Sequence, residues 1–292
     1  MKSIHEYATV SRYTASCKGD GKHGAGEQMT LLQAMNRDPI SFLAGAFAIL
    51  MQFANPKLAA GSFRHSQFAQ QPLRRLRRTK AYMTAVLYGT DEQKKTITSV
   101  IHGQHSFVKS AEYDADDPEL HRWTAATLFV GFLKVHETFY DMIPDSEKEQ
   151  LCQEFAAYGT SLRMPMEMWP RTLAEFDEYW EHNMNELEVT EDAEKLGNAI
   201  LYPKGLPWYL AWGLPFVRIL TAQWLPRKFA VAYGLGSPDA LLALYCYYFV
   251  VTFVKYTYCK LPEFIRHQGH RVVIQQMEAA VNQIQQTGRW QT

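Results

Sequence analysis

The chain has 292 residues, enough for one large domain with a substantial core. Its 30 Lys and Arg balance 30 Asp and Glu, so it lacks the basic field on which non-specific nucleic-acid binding relies. With 47% hydrophobic residues, 16 Phe, 16 Tyr and 7 Trp it is not a disordered chain, and the aromatics suit an apolar cavity or a large helical core.

Residues 1–26 are polar and Gly-rich and are expected to form a flexible leader, leaving 27–292 as the domain. No apolar signal-peptide core is present there. Gly19, Gly21 and Gly24 match G-x-G-x-x-G, but no apolar strand precedes them and no amphipathic helix follows directly. Cys17, Cys152, Cys246 and Cys259 form no C-x-x-C pair, so reduced thiols in an intracellular compartment are expected.

From Met29 onward apolar residues recur at three- and four-residue spacing, and no Asn-Gly or Asp-Gly hairpin signal appears. Two uncharged stretches, 39–56 and 240–254, fall short of the roughly 20 apolar residues that span a bilayer. They predict buried or interfacial helices. Thr90 and Gln93 form a capping box for the helix that follows. Asp116, Asp117 and Pro118 open another, and Asp145 or Ser146 is expected to cap a helix that stops at Gly159. Thr172 opens a further one, and Pro and Gly punctuate the later chain. The reading is one all-α domain of ten or more helices.

Chemistry is sparse by motif. Walker A, G-x-S-x-G and H-E-x-x-H are absent, and no Glu-x-x-His pair marks a di-iron bundle. Asp114, Asp116 and Asp117 suggest a cation loop, but Pro118 breaks the EF-hand pattern and capping explains them better. The run from Arg74 to Lys80 is the densest charge; it reads as a solvated face or as an anion site. Arg75 and Thr79 share a helix face. Ile97, Ile101, His105 and Val108 fall on one stripe, which makes His105 either a hydrogen-bonded core histidine or a metal ligand. His102 lies one turn away.

The order of short motifs is more specific than any one of them. It runs His65-Ser66-x-Phe68, Pro72-x-x-Arg75-Leu76-x-x-Thr79, Tyr88-Gly89-Thr90, and His105-x-x-Val108-Lys109. Tyr113-x-Ala115-x-Asp117-Pro118-x-Leu120 and Trp123-x-Ala125-Ala126-Thr127-Leu128 follow. This series resembles the haem-b oxygenase family that includes the bacterial latex-clearing protein (rubber oxygenase) and the fungal ER-bound MpaB-type oxygenases. The stretch from Gly45 to Ala54 looks most like the fungal branch. The resemblance implies an all-α, globin-related fold around haem b, with His105 as the iron ligand and Arg75 and Thr79 in the haem pocket. It sets Lys109 and Trp123 with the cofactor-binding residues, and Arg78 and His102 as candidate distal or catalytic partners. Rubber-cleaving members use a distal Glu upstream of the Arg/Thr motif. Here Asp38 is the only carboxylate between Glu27 and Arg75, and it falls too early.

The resemblance thus implies an oxygenase using O2 or peroxide on an apolar, unsaturated small molecule of the secondary-metabolite type. Location would be cytoplasmic or on the ER membrane, with peripheral membrane association and no nucleic-acid partner. Two other readings remain at this point: a haem enzyme that rearranges or cyclises without inserting oxygen, and a non-catalytic helical haem-binding protein.

Overall fold

A computed structural model describes residues 29–65, 72–109 and 113–290. The expected leader, with Ser66 and Phe68 of the first motif, lies outside the described residues. The first half contains α1 (Leu31–Asn36), a 3-10 turn (Pro39–Leu43), α2 (Ala44–Phe53), α3 (Pro56–His65), α4 (Pro72–Tyr88) and α5 (Asp91–His105). The long α6 (Pro118–Phe139) follows, then α7 (Asp145–Thr160), α8 (Leu173–Glu186) and α9 (Glu191–Leu201). The last part holds α10 (Trp208–Ala211), α11 (Leu214–Trp224), α12 (Arg227–Ala232), α13 (Leu241–Thr257), α14 (Glu263–Arg266) and α15 (Gln268–Thr287). No strand occurs among the described residues, and the all-α expectation holds.

The helix starts mostly follow the sequence signals. Thr90 and Gln93 complete their capping box, Asp117 accepts from the Glu119 N–H, and Thr172 accepts from the Glu175 N–H. One expectation needs correction. The residue before α7 is Pro144, with no side-chain cap from Asp145 or Ser146, and the helix runs past Gly159 to Thr160. Gly159 serves packing: a Cβ there would lie 2.7 Å from Met164 Cε. The chain then reverses at Arg163, a non-glycine residue with φ of 70°.

The core is built around α6. With Pro118 at its first turn, α6 is buried from Leu120 to Phe139 on more than one face. The apolar stretch 39–53 packs on one side of it as the 3-10 turn and α2, and α7 packs on another. Small residues permit the close approach of α2. A Cβ on Gly131 would meet the Phe47 ring at 3.1 Å and Ala44 Cβ at 3.2 Å. Phe129 joins Phe155 and Phe176 at ring separations of 5.4 and 4.8 Å, and α15 covers α4 and α5 with Met277, Ala280, Val281 and Ile284.

A polar network ties the start of this core to the C-terminal helices. Asp38 is 5% exposed and accepts hydrogen bonds from the Tyr140 and Tyr258 hydroxyls, both at 2.6 Å, and from the Ile40 N–H at 3.0 Å. Arg266 completes it with an ion pair. Burial alone would raise the Asp38 pKa, but these hydrogen bonds and the Arg266 charge outweigh it and hold the carboxyl below its usual range.

No single helix among the described residues is long and apolar enough to cross a membrane. The pair 39–53 and 56–64 passes on composition only when taken together, and it is bent by 99°. The two uncharged stretches behave differently. Stretch 39–53 is core, whereas α13 buries only Val250 and leaves Tyr245 (75%), Tyr248, Phe249, Phe253 and Tyr256 exposed.

A Cβ on Gly197 of α9 would lie 2.5 Å from the Tyr233 ring, which is itself pinned by its hydroxyl to Leu50 O at 2.7 Å. Gly197→Ala should therefore cost about 1–3 kcal/mol in urea unfolding. Gly103→Ala, with nothing within 4 Å of its Cβ, should gain up to about 1 kcal/mol. Asp38→Asn should cost about 3–5 kcal/mol near neutral pH by leaving Arg266 without its buried counter-charge. Because the folded Asp38 pKa lies below the unfolded value of 3.8, its stabilisation is complete above that value and is lost as pH falls through the folded pKa. The variant's stability should accordingly depend less on pH below about 4 in acid titrations followed by circular dichroism.

Candidate metal and cofactor site

The site is assembled by the connection between α5 and α6. After His105 the chain turns, and the backbones of Lys109 and Asp114 pair in an isolated bridge. Their side chains form a 2.9 Å ion pair, and the Ala115 N–H donates to Val108 O at 3.1 Å. This closure returns Asp116 to the end of α5. Asp117 then caps α6, whose first turn carries His121.

Three side chains meet there. His105 Nδ1 lies 3.6 Å from Asp116 Oδ1, too far for a hydrogen bond. The His105 and His121 rings stack with centroids 5.7 Å apart and planes 12° apart. His105, Asp116 and His121 each offer a ligand atom within 4.8 Å of the others. Among the described residues, His105 Nδ1, Asp116 Oδ1 and His121 Nε2 are all buried without a hydrogen-bond partner, as is His102 Nε2. The other oxygen of Asp116 faces the Arg163 guanidinium at 4.0 Å. Burial holds the His105 pKa below its ordinary value, with Asp116 opposing. Burial pushes His121 further, to about 4, helped by His105. Both rings are neutral at pH 7, so each has a nitrogen lone pair to give.

Arg75 enters from α4. Its pKa falls to about 10 by desolvation, with Tyr113 opposing and Arg78 assisting, although solvent reaches its side chain. Arg75 is close enough to His105 to depress its pKa, and Tyr113, which feels Arg75, lays its ring where a Gly61 Cβ would stand, 2.3 Å away. Thr79 is exposed one turn along α4 from Arg75.

The remaining predicted site residues have other partners. Arg78 donates to Gln104 Oε1 at 2.6 Å and lies 4.7 Å from the Trp290 ring centre, a contact toward α5 and the C-terminus. Lys109 holds Asp114 and so closes the loop. Trp123 is buried, donates to Met51 O at 3.0 Å and stacks on Trp180. His102 is half-buried, its pKa lowered by desolvation and then by Arg163. By sequence Asp116 belongs to a cation loop set aside for capping, and His121 ranks behind His105 as a ligand. Asp116 reads as a helix start there, and His121 lies outside any ligand spacing.

An axial haem ligand needs one imidazole nitrogen for iron and a partner that orients the ring from the other side. His105 meets this: Nδ1 faces Asp116 and Nε2 is the remaining nitrogen. Arg75, near enough to lower the His105 pKa, supplies the charge that haem carboxylates require. The residues fit the group. Residues 32–255 match the catalytic domain of the ER-bound oxygenase mpaB/B′ and rubber oxygenase family. The chain belongs to this family. Its function is accordingly of the oxygenase type. It is also similar to uncharacterised proteins of Mycobacterium bovis and Mycobacterium tuberculosis. Each is 28% identical over 197 residues, covering 64% of this chain and 77% of the relative. No solved structure matches the chain.

Proposed function

We propose that this family member is a haem-b-dependent oxygenase whose iron is held by His105. The observation that carries this is His105, its Nδ1 facing Asp116 Oδ1 at 3.6 Å, with the Arg75 charge near enough to lower its pKa. Bound haem supplies an iron centre that activates O2 or peroxide and delivers oxygen to a bound carbon skeleton. The chain's own residues do the rest. His105 would hold the iron through Nε2. Arg75 would pair with a haem carboxylate. Tyr113 against Gly61 forms part of the wall near Arg75. The substrate class proposed is an apolar, unsaturated small molecule, since Asp38 is the only carboxylate between Glu27 and Arg75. Asp38 is engaged elsewhere, with Tyr140, Tyr258 and Arg266.

Access from a membrane surface belongs to the same reading. The exposed aromatic face of α13 adjoins Phe216 of α11, stacked on Phe253 at 6.4 Å. Residues 200–262 carry six Lys and Arg against a single Asp, in a chain that is neutral overall. Aromatic residues beside basic ones favour the interface of an anionic bilayer. Cell fractionation tests this: release by alkali or high salt is expected, and extraction by detergent alone would contradict peripheral binding.

The iron assignment is tested by substitution. The purified wild-type chain should show a haem spectrum. His105→Ala should lose the haem or keep it with an altered spin state and no turnover, while His102→Ala should keep the wild-type spectrum. The reverse pattern would shift the ligand by one turn. Arg75→Ala should lower haem retention through the loss of about 1.5–3 kcal/mol, whereas exposed Arg77→Ala should leave it unchanged. Equal haem occupancy in both would remove Arg75 as an anchor. Product mass separates oxygen insertion from rearrangement.

A further inference from the structure

We propose that His105, Asp116 and His121 also form a binding site for one divalent transition-metal cation of the zinc or ferrous type, held through His105 Nδ1, Asp116 Oδ1 and His121 Nε2. The haem reading uses Nε2 of His105, so this site concerns the opposite nitrogen of the ring and stands without that reading.

Three observations carry the proposal. First, these three atoms are buried and have no hydrogen-bond partner among the described residues, although they come from the end of α5, the connecting loop and the first turn of α6. Buried polar atoms are normally paired, so three unpaired ones converging on one point indicate a shared ligand. Second, the spacing fits an ion better than direct contact. Two donors each about 2.0–2.2 Å from an ion at a tetrahedral angle lie about 3.3–3.6 Å apart. The Nδ1 to Oδ1 separation is 3.6 Å, outside hydrogen-bond range. All three ligand atoms lie within 4.8 Å of one another, a limit that includes the roughly 4.2 Å between donors on opposite sides of an ion.

Third, the donor chemistry selects the ion. Two imidazoles and one carboxylate suit zinc, ferrous iron or cobalt, whereas calcium and magnesium prefer all-oxygen sets. His121 binds through the lone pair of Nε2 with its proton on Nδ1. His105 gives Nδ1, with its own proton on Nε2. Were haem to be held through Nε2 of the same ring, that proton would be released to solvent. Charge also fits: the Asp116 carboxylate meets the cation through Oδ1, while its Oδ2 faces the exposed Arg163. Asp114 anchors the loop to Lys109 and accepts from the Asp116 N–H at 2.9 Å, which fixes the backbone that carries the carboxylate.

The test uses the full chain without a histidine tag, treated with chelator and then titrated with Co2+, whose visible absorption reports coordination. Zn2+ follows as competitor. One cation per chain is expected. Asp116→Asn, close to isosteric, and His121→Phe, which keeps a ring stacked on His105, should each weaken binding by about 100-fold, the upper end of what even outer-shell changes cost. His102→Ala should bind as the wild type does. Absence of one-to-one binding by the wild type, or equal binding by Asp116→Asn, would overturn the site. Haem content of the same preparations keeps the two readings apart. Haem without cation removes this site alone, and cation without haem removes the haem reading and leaves this site standing.

Discussion

The position of the site depends on the burial of α6. This helix is packed by α2 on one side and α7 on another, so it cannot slide or rotate without opening the core. Its first turn is therefore a fixed reference. Asp117 caps it, Pro118 sets its first φ angle, and His121 projects one turn further on. The loop from α5 must reach that fixed point, and the Lys109–Asp114 closure makes the return short. Asp116 reaches His105 because both ends of the connection are held. Apolar packing more than 20 residues along α6 thus constrains the chemistry at its N-terminus.

Local signals were readable in the sequence for a related reason. Thr90 with Gln93, Asp117 with Pro118, and Thr172 each act within three residues of themselves, so their spacing alone decides the helix start. Signals that depend on distant partners were not readable. Gly159 looks like a helix stop, but the backbone there makes room for Met164, and the reversal comes later at Arg163. Asp38 is separated from its hydrogen-bond and ion partners by more than 100 residues, so nothing near it announces a buried network. His105 stood out by its stripe and its motif. Its stripe is fully buried only at Ile97 and opens toward His105, which is what leaves the ring accessible. Asp116 was absorbed by its role in starting α6, and His121 ranked behind His105 until the loop brought the two together.

The basic run shows how one helix divides its charges. Arg74 and Arg78 turn to the C-terminal segment, where Trp290 receives a hydrogen bond from the first and the guanidinium face of the second. Arg75 turns the other way, toward Tyr113 and His105. Adjacent positions on a helix point in different directions while positions four apart share a face, so a run that reads as one patch is two separate contacts. The C-terminal contact has a consequence for the site, since α15 covers both α4 and α5 and keeps Arg75 and His105 in register.

Desolvation is the common currency of the site. It lowers the pKa of His105, His121 and Arg75 alike, yet its effect on charge differs. The imidazoles, with ordinary values near neutrality, are driven to their neutral, electron-donating form. Arg75, starting far higher, stays cationic at about 10 and becomes a charge that lacks its full hydration. One environment therefore prepares a pair of neutral nitrogen donors and an undersolvated cation side by side. A metal centre with anionic substituents requires that combination. A histidine buried for packing alone would place its nitrogens on hydrogen-bond partners, as His136 does in part with Ser41 at 3.4 Å. At His105 the nearest carboxylate stops short of such a bond, and the lone pairs remain for a ligand.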